Sequence, residues 1–171
     1  MPGSRAFVGV FPPPPVVAEL DAIGRWPGPR WVPAQQLHVT LRFLGDDVDV
    51  DAVERQLVER FRGSRASVAL GPAVEQLGRH VICVPAGGLD ALAGSIDEAL
   101  DELVGPRDRP FVGHLTLGRI RRGGGRPSPI GEPIELSWIA HTVRLVVSEL
   151  SPDGARYVDI AELPLDGPTT A

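Results

Sequence analysis

Residues 38–45 read HVTLRFLG and residues 114–121 read HLTLGRIR, so the string His-x-Thr-Leu occurs twice in one small chain. In a β-strand, residues i and i+2 point to the same face. His38 and Thr40 therefore share one face of a strand predicted over Leu37–Leu44, and His114 and Thr116 share one face of a strand over Val112–Ile120. Val39, Leu41, Leu115 and Leu117 fall on the opposite faces and should pack inward. Each motif thus presents an imidazole beside a hydroxyl on a stiff element anchored by apolar residues. Val or Ile would serve packing better than an imidazole, so the repetition points to chemistry. Strict alternation also puts Arg42 on the face of His38 and Thr40, where it would approach a phosphate or tune His38. A solvated surface charge is the alternative. Arg119 falls on the face opposite His114, and reaches the histidine's face only if the strand bends or ends near Gly118.

Outward from the motifs, Arg5–Phe11 reads as a buried strand stopped by four prolines, and Val16–Ile23 as a short helix. Pro27–Gln36 reads as loop. Residues 45–61 predict a helix capped by Asp49 or Asp51, and short strands follow at Ser67–Leu70, Ala73–Leu77 and His80–Val84. The clearest helix carries Leu89, Leu92, Ile96, Leu100 and Leu103 as its apolar stripe. Beyond the second motif come a Gly- and Arg-rich loop, then strands near Ile134–Ala140, Val143–Leu150 and Tyr157–Leu163, and a tail (166–171) expected to be flexible. The class is α+β, with two mostly antiparallel sheets, helices on the outside, and two similar lobes in one domain spanning residues 1–171.

Composition narrows the chemistry. The net charge is −5, which argues against a general nucleic-acid coat, so a phosphate-bearing ligand must be handled in a local pocket. All 17 basic residues are arginine. Without lysine there is no Walker A lysine and no lysine nucleophile for nucleotidyl transfer. A lone cysteine, Cys83, excludes an internal disulfide and a multi-cysteine zinc site. No Gly-x-Ser-x-Gly elbow is present. Neither a membrane span nor a secretory signal is evident, so a cytoplasmic monomer is expected.

Two imidazoles facing a reacting centre supply one base and one acid near neutral pH, and the hydroxyls can donate to oxygens that gain negative charge. In-line displacement at phosphorus needs that set and no metal or other cofactor. A metal would need further ligands than two histidines; the only carboxylates near a motif are Asp46 and Asp47, beyond the first.

These strings, with RAFVGVFPPP, WVPAQQLHVTLRFLGD, FVGHLTLGRI and ARYVDIAELPL around them, resemble the 2H phosphoesterase superfamily. Within it they resemble the RNA 2′,3′-cyclic phosphodiesterase branch, also called 2′-5′ RNA ligase-like, over roughly Arg5 to Leu165. The resemblance implies a bilobal fold with a central cleft and one motif per lobe, cleaving a 2′,3′-cyclic phosphate to a 2′-phosphomonoester. It implies His38 as the proton donor to the departing 3′-oxygen, His114 as the base that activates water, and Thr40 and Thr116 as holders of the phosphate oxygens. The residues alone leave open which histidine is the acid. Gly113 and Gly118 stand where the family commonly has proline and alanine, and Gly113 is expected to loosen the strand. Arg119 resembles the family's substrate-contacting arginine. Phe43 holds the same place after His38 as Arg119 after His114, and both are expected to flank the cleft mouth and stack on a nucleobase. Arg121, Arg122 and Arg126 would guide an RNA strand, or simply be solvated. RNA ends bearing a cyclic phosphate are the expected partners, with small cyclic nucleotides as a further substrate set. The alternatives are ATP-independent 2′-5′ ligation by reverse transesterification and a nucleotide-binding module without turnover.

Overall fold

The structure is a computed structural model that describes residues 4–124 and 129–170. Strand β1 (Ser4–Val10) buries Ala6, Val8 and Val10. Prolines stop it and then open α1 (Pro14–Ile23), where their missing N–H groups would have lacked helical partners anyway. The predicted loop before the first motif holds a two-residue strand, β2 (Arg30–Trp31), and a 3-10 turn at Ala34–Gln36. Then come β3 (Val39–Gly45) and α2 (Val50–Arg60), the latter capped by Asp49, whose carboxylate accepts the Ala52 N–H at 3.1 Å. Strands β4 (Ser64–Leu70), β5 (Glu75–Leu77) and β6 (Val81–Gly87) lead to α3 (Asp90–Val104). Leu92, Ile96 and Leu100 form its buried stripe, whereas Leu103 faces solvent. The chain ends with β7 (His114–Arg119), β8 (Leu136–Ala140), β9 (Thr142–Ser151), β10 (Gly154–Pro164) and β11 (Asp166–Thr170).

Residues 166–170, expected as a flexible tail, instead pair in parallel with β4, Asp166 beside Ser64. Buried Leu165 anchors the segment where the edge of β4 offers unpaired backbone groups. The other pairings are antiparallel. The strand order is β10-β9-β1-β3-β7-β6-β4-β11, with β2 on β7, β5 on β6 and β8 on β4. The two expected sheets are therefore joined, but through narrow seams. At one of them β3 meets β7 through the single pair Val39↔Leu115; at the other β4 meets β6 through Ala69↔Gly87 and Leu70↔Ala86. Val39, Leu41, Leu115 and Leu117 belong to one apolar cluster with Val53 and Leu57 of α2 and Leu92, Ile96 and Leu100 of α3. The helices thus back the motif strands, leaving the opposite face of the seam open. Among the described residues no helix is long and apolar enough to cross a membrane.

Candidate active site

The one pair that joins β3 to β7 consists of the middle residues of the two motifs. Antiparallel alternation from Val39↔Leu115 sets His38 across from Thr116 and Thr40 across from His114, all four on the face away from the core. Both histidines are pinned in the same way. His38 Nδ1 donates to the Gln36 carbonyl at 2.7 Å, and His114 Nδ1 to the Val112 carbonyl at 3.2 Å, each two residues upstream. A carbonyl only accepts, so in the neutral ring the proton sits on Nδ1 and Nε2 keeps its lone pair. His38 Nε2 lies 3.0 Å from Thr40 Oγ1.

His38 is set among rings. Phe7 stacks on it at 4.5 Å between centroids, Phe11 at 5.3 Å, and Tyr157 meets it edge-on at 5.7 Å. Burial lowers its pKa; the bond to Gln36 opposes this and the nearby His114 adds to it. The unfolded chain therefore takes up a proton below about pH 6.5 that folded His38 resists, so ∂ΔG/∂pH is positive there. This contribution is intact above that pH and is lost as pH falls through the lower folded value. Melting at pH 7.5 and about 5.5 is expected to show a larger fall in Tm for the wild type than for His38→Gln; equal falls would contradict it.

Both motif strands bulge at the same place. In the β1–β3 ladder Gly9 pairs with Thr40 and Val8 with Arg42, leaving Leu41 as the extra residue; in the β6–β7 ladder Cys83 pairs with Thr116 and Ile82 with Gly118, leaving Leu117. A bulge reverses the alternation beyond it. Arg42 accordingly does not share the histidine's face: it is 7% exposed on the core side, bonded to Asp97 and to the Gly105 carbonyl. Phe43 turns to the cleft side, where it is 69% exposed with its ring 6.5 Å from that of Phe7. Gly118 turns inward, where a Cβ would stand 2.8 Å from the Trp31 ring, so no larger residue fits. Arg119 turns outward, and its charge opposes the burial-driven rise in the pKa of Tyr157 on the other half of the sheet. Gly113 is a point of close approach: a Cβ there would collide with the Ala86 carbonyl, while the Gly113 carbonyl accepts the Ala86 N–H at 2.9 Å. The strand is thereby held, not loosened.

No protein-family model matches the sequence. An RNA 2′,3′-cyclic phosphodiesterase of Thermus thermophilus is 28% identical over 182 residues, covering 95% of this chain and 91% of that protein. Another, from Archaeoglobus fulgidus, is 30% identical over 161 residues, covering 85% and 88%. The chain belongs to the RNA 2′,3′-cyclic phosphodiesterase family. A crystal structure of a Thermus thermophilus protein superposes with a TM-score of 0.73 at 29% identity over 94% of this chain and 97% of that one. E. coli LigT in its apo form superposes with a TM-score of 0.77 at 24% identity, over 96% and 98%. The 2H phosphoesterase fold expected from the motifs is therefore the fold observed.

In this phosphodiesterase-family chain the site also holds residues that the motifs do not reveal: Phe7, Phe11, Tyr157 and Arg144. Arg144 lies over the Phe11 ring at 4.6 Å and 3.9 Å from Asp159. The signal for Tyr157 was its standing as the sole tyrosine, in a strand at the far end of the chain. Cys83 is buried, as its apolar neighbours predict. Arg121 and Arg122 are exposed, and Arg126 lies outside the described residues. Among the described residues no three His, Cys, Asp or Glu side chains are grouped to hold a metal ion.

Proposed function

We propose that the protein hydrolyses the 2′,3′-cyclic phosphate at an RNA end to a 2′-phosphomonoester by paired-imidazole acid–base catalysis that needs no metal ion. The observation that carries this reading is the matched pair of histidines, each fixed through Nδ1 and flanked by a threonine hydroxyl across the β3–β7 seam. His114 Nε2 takes a proton from water as its oxygen bonds to phosphorus. The bond from phosphorus to the 3′-oxygen breaks, and His38 Nε2–H protonates that oxygen. Thr40 and Thr116 donate to the non-bridging oxygens. Before substrate binds, the depressed pKa of His38 leaves Nε2 unprotonated at neutral pH, accepting from Thr40. The negative charge of the cyclic phosphate then draws a proton onto it and frees the threonine hydroxyl for the phosphate. The neutral resting state of His38 also favours a second reading, with the two histidines exchanged in role.

Phe43 and Arg119, on the cleft side of their strands, are proposed to stack on nucleobases at the mouth. One assay tests both proposals. A short RNA ending in a 2′,3′-cyclic phosphate and a cyclic mononucleotide are incubated with enzyme in excess EDTA, and the products are resolved. The wild type is expected to release the 2′-phosphate from the RNA, and Phe43→Ala and Arg119→Ala to lose roughly tenfold on it, as one lost base stack implies. A 3′-phosphate product, or activity abolished by EDTA, would overturn the reaction. Wild-type rates for both variants on both substrates would remove the stacking role.

A further inference from the structure

At both bulges the carbonyl of the extra leucine is satisfied from outside the ladder in which it bulges. In β7 the Leu117 carbonyl accepts the backbone N–H of Val32 at 2.8 Å. In β3 the Leu41 carbonyl accepts Arg107 Nη2 at 2.7 Å. Arg107 comes from the segment that joins α3 to β7, and so from the run of chain that enters the second motif. It is itself fixed on both oxygens of Asp97, Nε to Oδ2 at 2.9 Å and Nη2 to Oδ1 at 2.8 Å. The same Asp97 oxygen receives Arg42 Nη1 at 2.9 Å, and Arg42 Nη2 reaches the Gly105 carbonyl at 3.0 Å. One carboxylate on α3 thus gathers the residue just beyond the first bulge and the residue that holds the bulge's carbonyl.

We propose that Arg107, clasped by Asp97, is a positioning residue: it holds the β3 bulge at Leu41 and through it sets Thr40 and Phe43 relative to His38. The inference rests on reading the cleft as the phosphodiesterase site. A bulge is one extra residue left unpaired in its ladder, so a donor from outside the ladder helps to fix where that residue sits. Losing the bulge would restore unbroken alternation and turn Arg42 toward the cleft and Phe43 toward the core. Without Arg107 the Leu41 carbonyl loses a charge-assisted bond while Leu41 itself stays buried, so the bulge relaxes. A shift of about 1 Å in a catalytic constellation can reduce turnover a hundredfold.

The test compares full-length wild type, Arg107→Met, Arg107→Lys and Arg60→Met, the last removing an exposed ion pair to Glu102 that is outside the hydrogen bonds of the clasp. Turnover of the cyclic-phosphate RNA is measured together with backbone amide exchange at residues 41–43 and 117–119. Arg107→Met is expected to lower kcat about ten- to a hundredfold with KM changed less, and to speed exchange at 41–43 but not at 117–119. Arg107→Lys keeps one donor for Leu41 without the two-oxygen grip on Asp97, and should recover part of the turnover; it carries the test if the methionine variant does not fold. Arg60→Met should match the wild type. Wild-type kcat in both Arg107 variants overturns the proposal, and so does loosening shared equally by both bulges. Should the wild type not turn over the RNA, the reaction fails while the exchange at 41–43 still decides whether Arg107 holds the bulge.

Discussion

His38→Ala and His114→Ala are each expected to lower kcat/KM on a cyclic-phosphate RNA by roughly a hundred- to ten-thousandfold, the range in which a positioned acid or base contributes. The two rings act on one displacement, so the double variant should be little slower than the worse single one. A third substrate separates the roles. A phosphodiester with a nitrophenolate leaving group needs no proton on departure, so it should restore most of the lost rate to the variant that lacks the acid. Restoration in His38→Ala alone assigns the acid to His38, and restoration in His114→Ala alone exchanges the assignments. Wild-type rates in both single variants would end the paired-imidazole reading.

The second large effect is on stability, at Asp97. Burial alone would raise its pKa, but the Arg107 and Arg42 guanidiniums override that and hold the carboxyl below its usual range, so it stays charged at neutral pH. Among the described residues, Asp97→Ala leaves the buried Arg42 guanidinium with the Gly105 carbonyl alone. Removing one partner of a fully buried pair costs about 3–5 kcal/mol. Because the Asp97 side chain is 30% exposed and water can enter, about 2–4 kcal/mol is expected here. Arg42→Met removes the buried charge together with its desolvation and leaves Asp97 paired to Arg107, so it should cost clearly less. Urea denaturation of the three proteins measures this. Midpoints for Asp97→Ala and wild type that coincide at equal m would show that the pair carries no net stability.

The two motif strands, and the face on which His38, Thr40, His114 and Thr116 stand, were legible because period-two alternation is a local property. The same alternation failed one residue past each threonine. A bulge is set by the partner strand and by the donors that reach its carbonyl, none of which is near in sequence. Alternation alone therefore puts Arg42 with the histidine and Arg119 opposite its own; the extra residues Leu41 and Leu117 reverse both. The rings around His38 were hidden for a related reason. Phe7, Phe11 and Tyr157 come from strand β1, the proline turn after it and strand β10, which meet only when the sheet assembles. The closing strand β11 and the two-residue β2 escaped because each owes its form to a neighbour's free edge and not to its own pattern.

An antiparallel pair looks the same after half a turn about the axis through its centre, and here that axis passes between Val39 and Leu115. Rotation about it carries His38 toward the place of His114 and Thr40 toward that of Thr116. The contact is formally isologous, as between the halves of a C2 dimer, but built within one chain. For a phosphorus atom on that axis, attack and departure are interchangeable as far as the motif strands are concerned. By microscopic reversibility, either imidazole can serve either end of the displacement. What distinguishes the two directions lies around the axis: among the described residues, the ring-lined housing of His38 has no counterpart at His114.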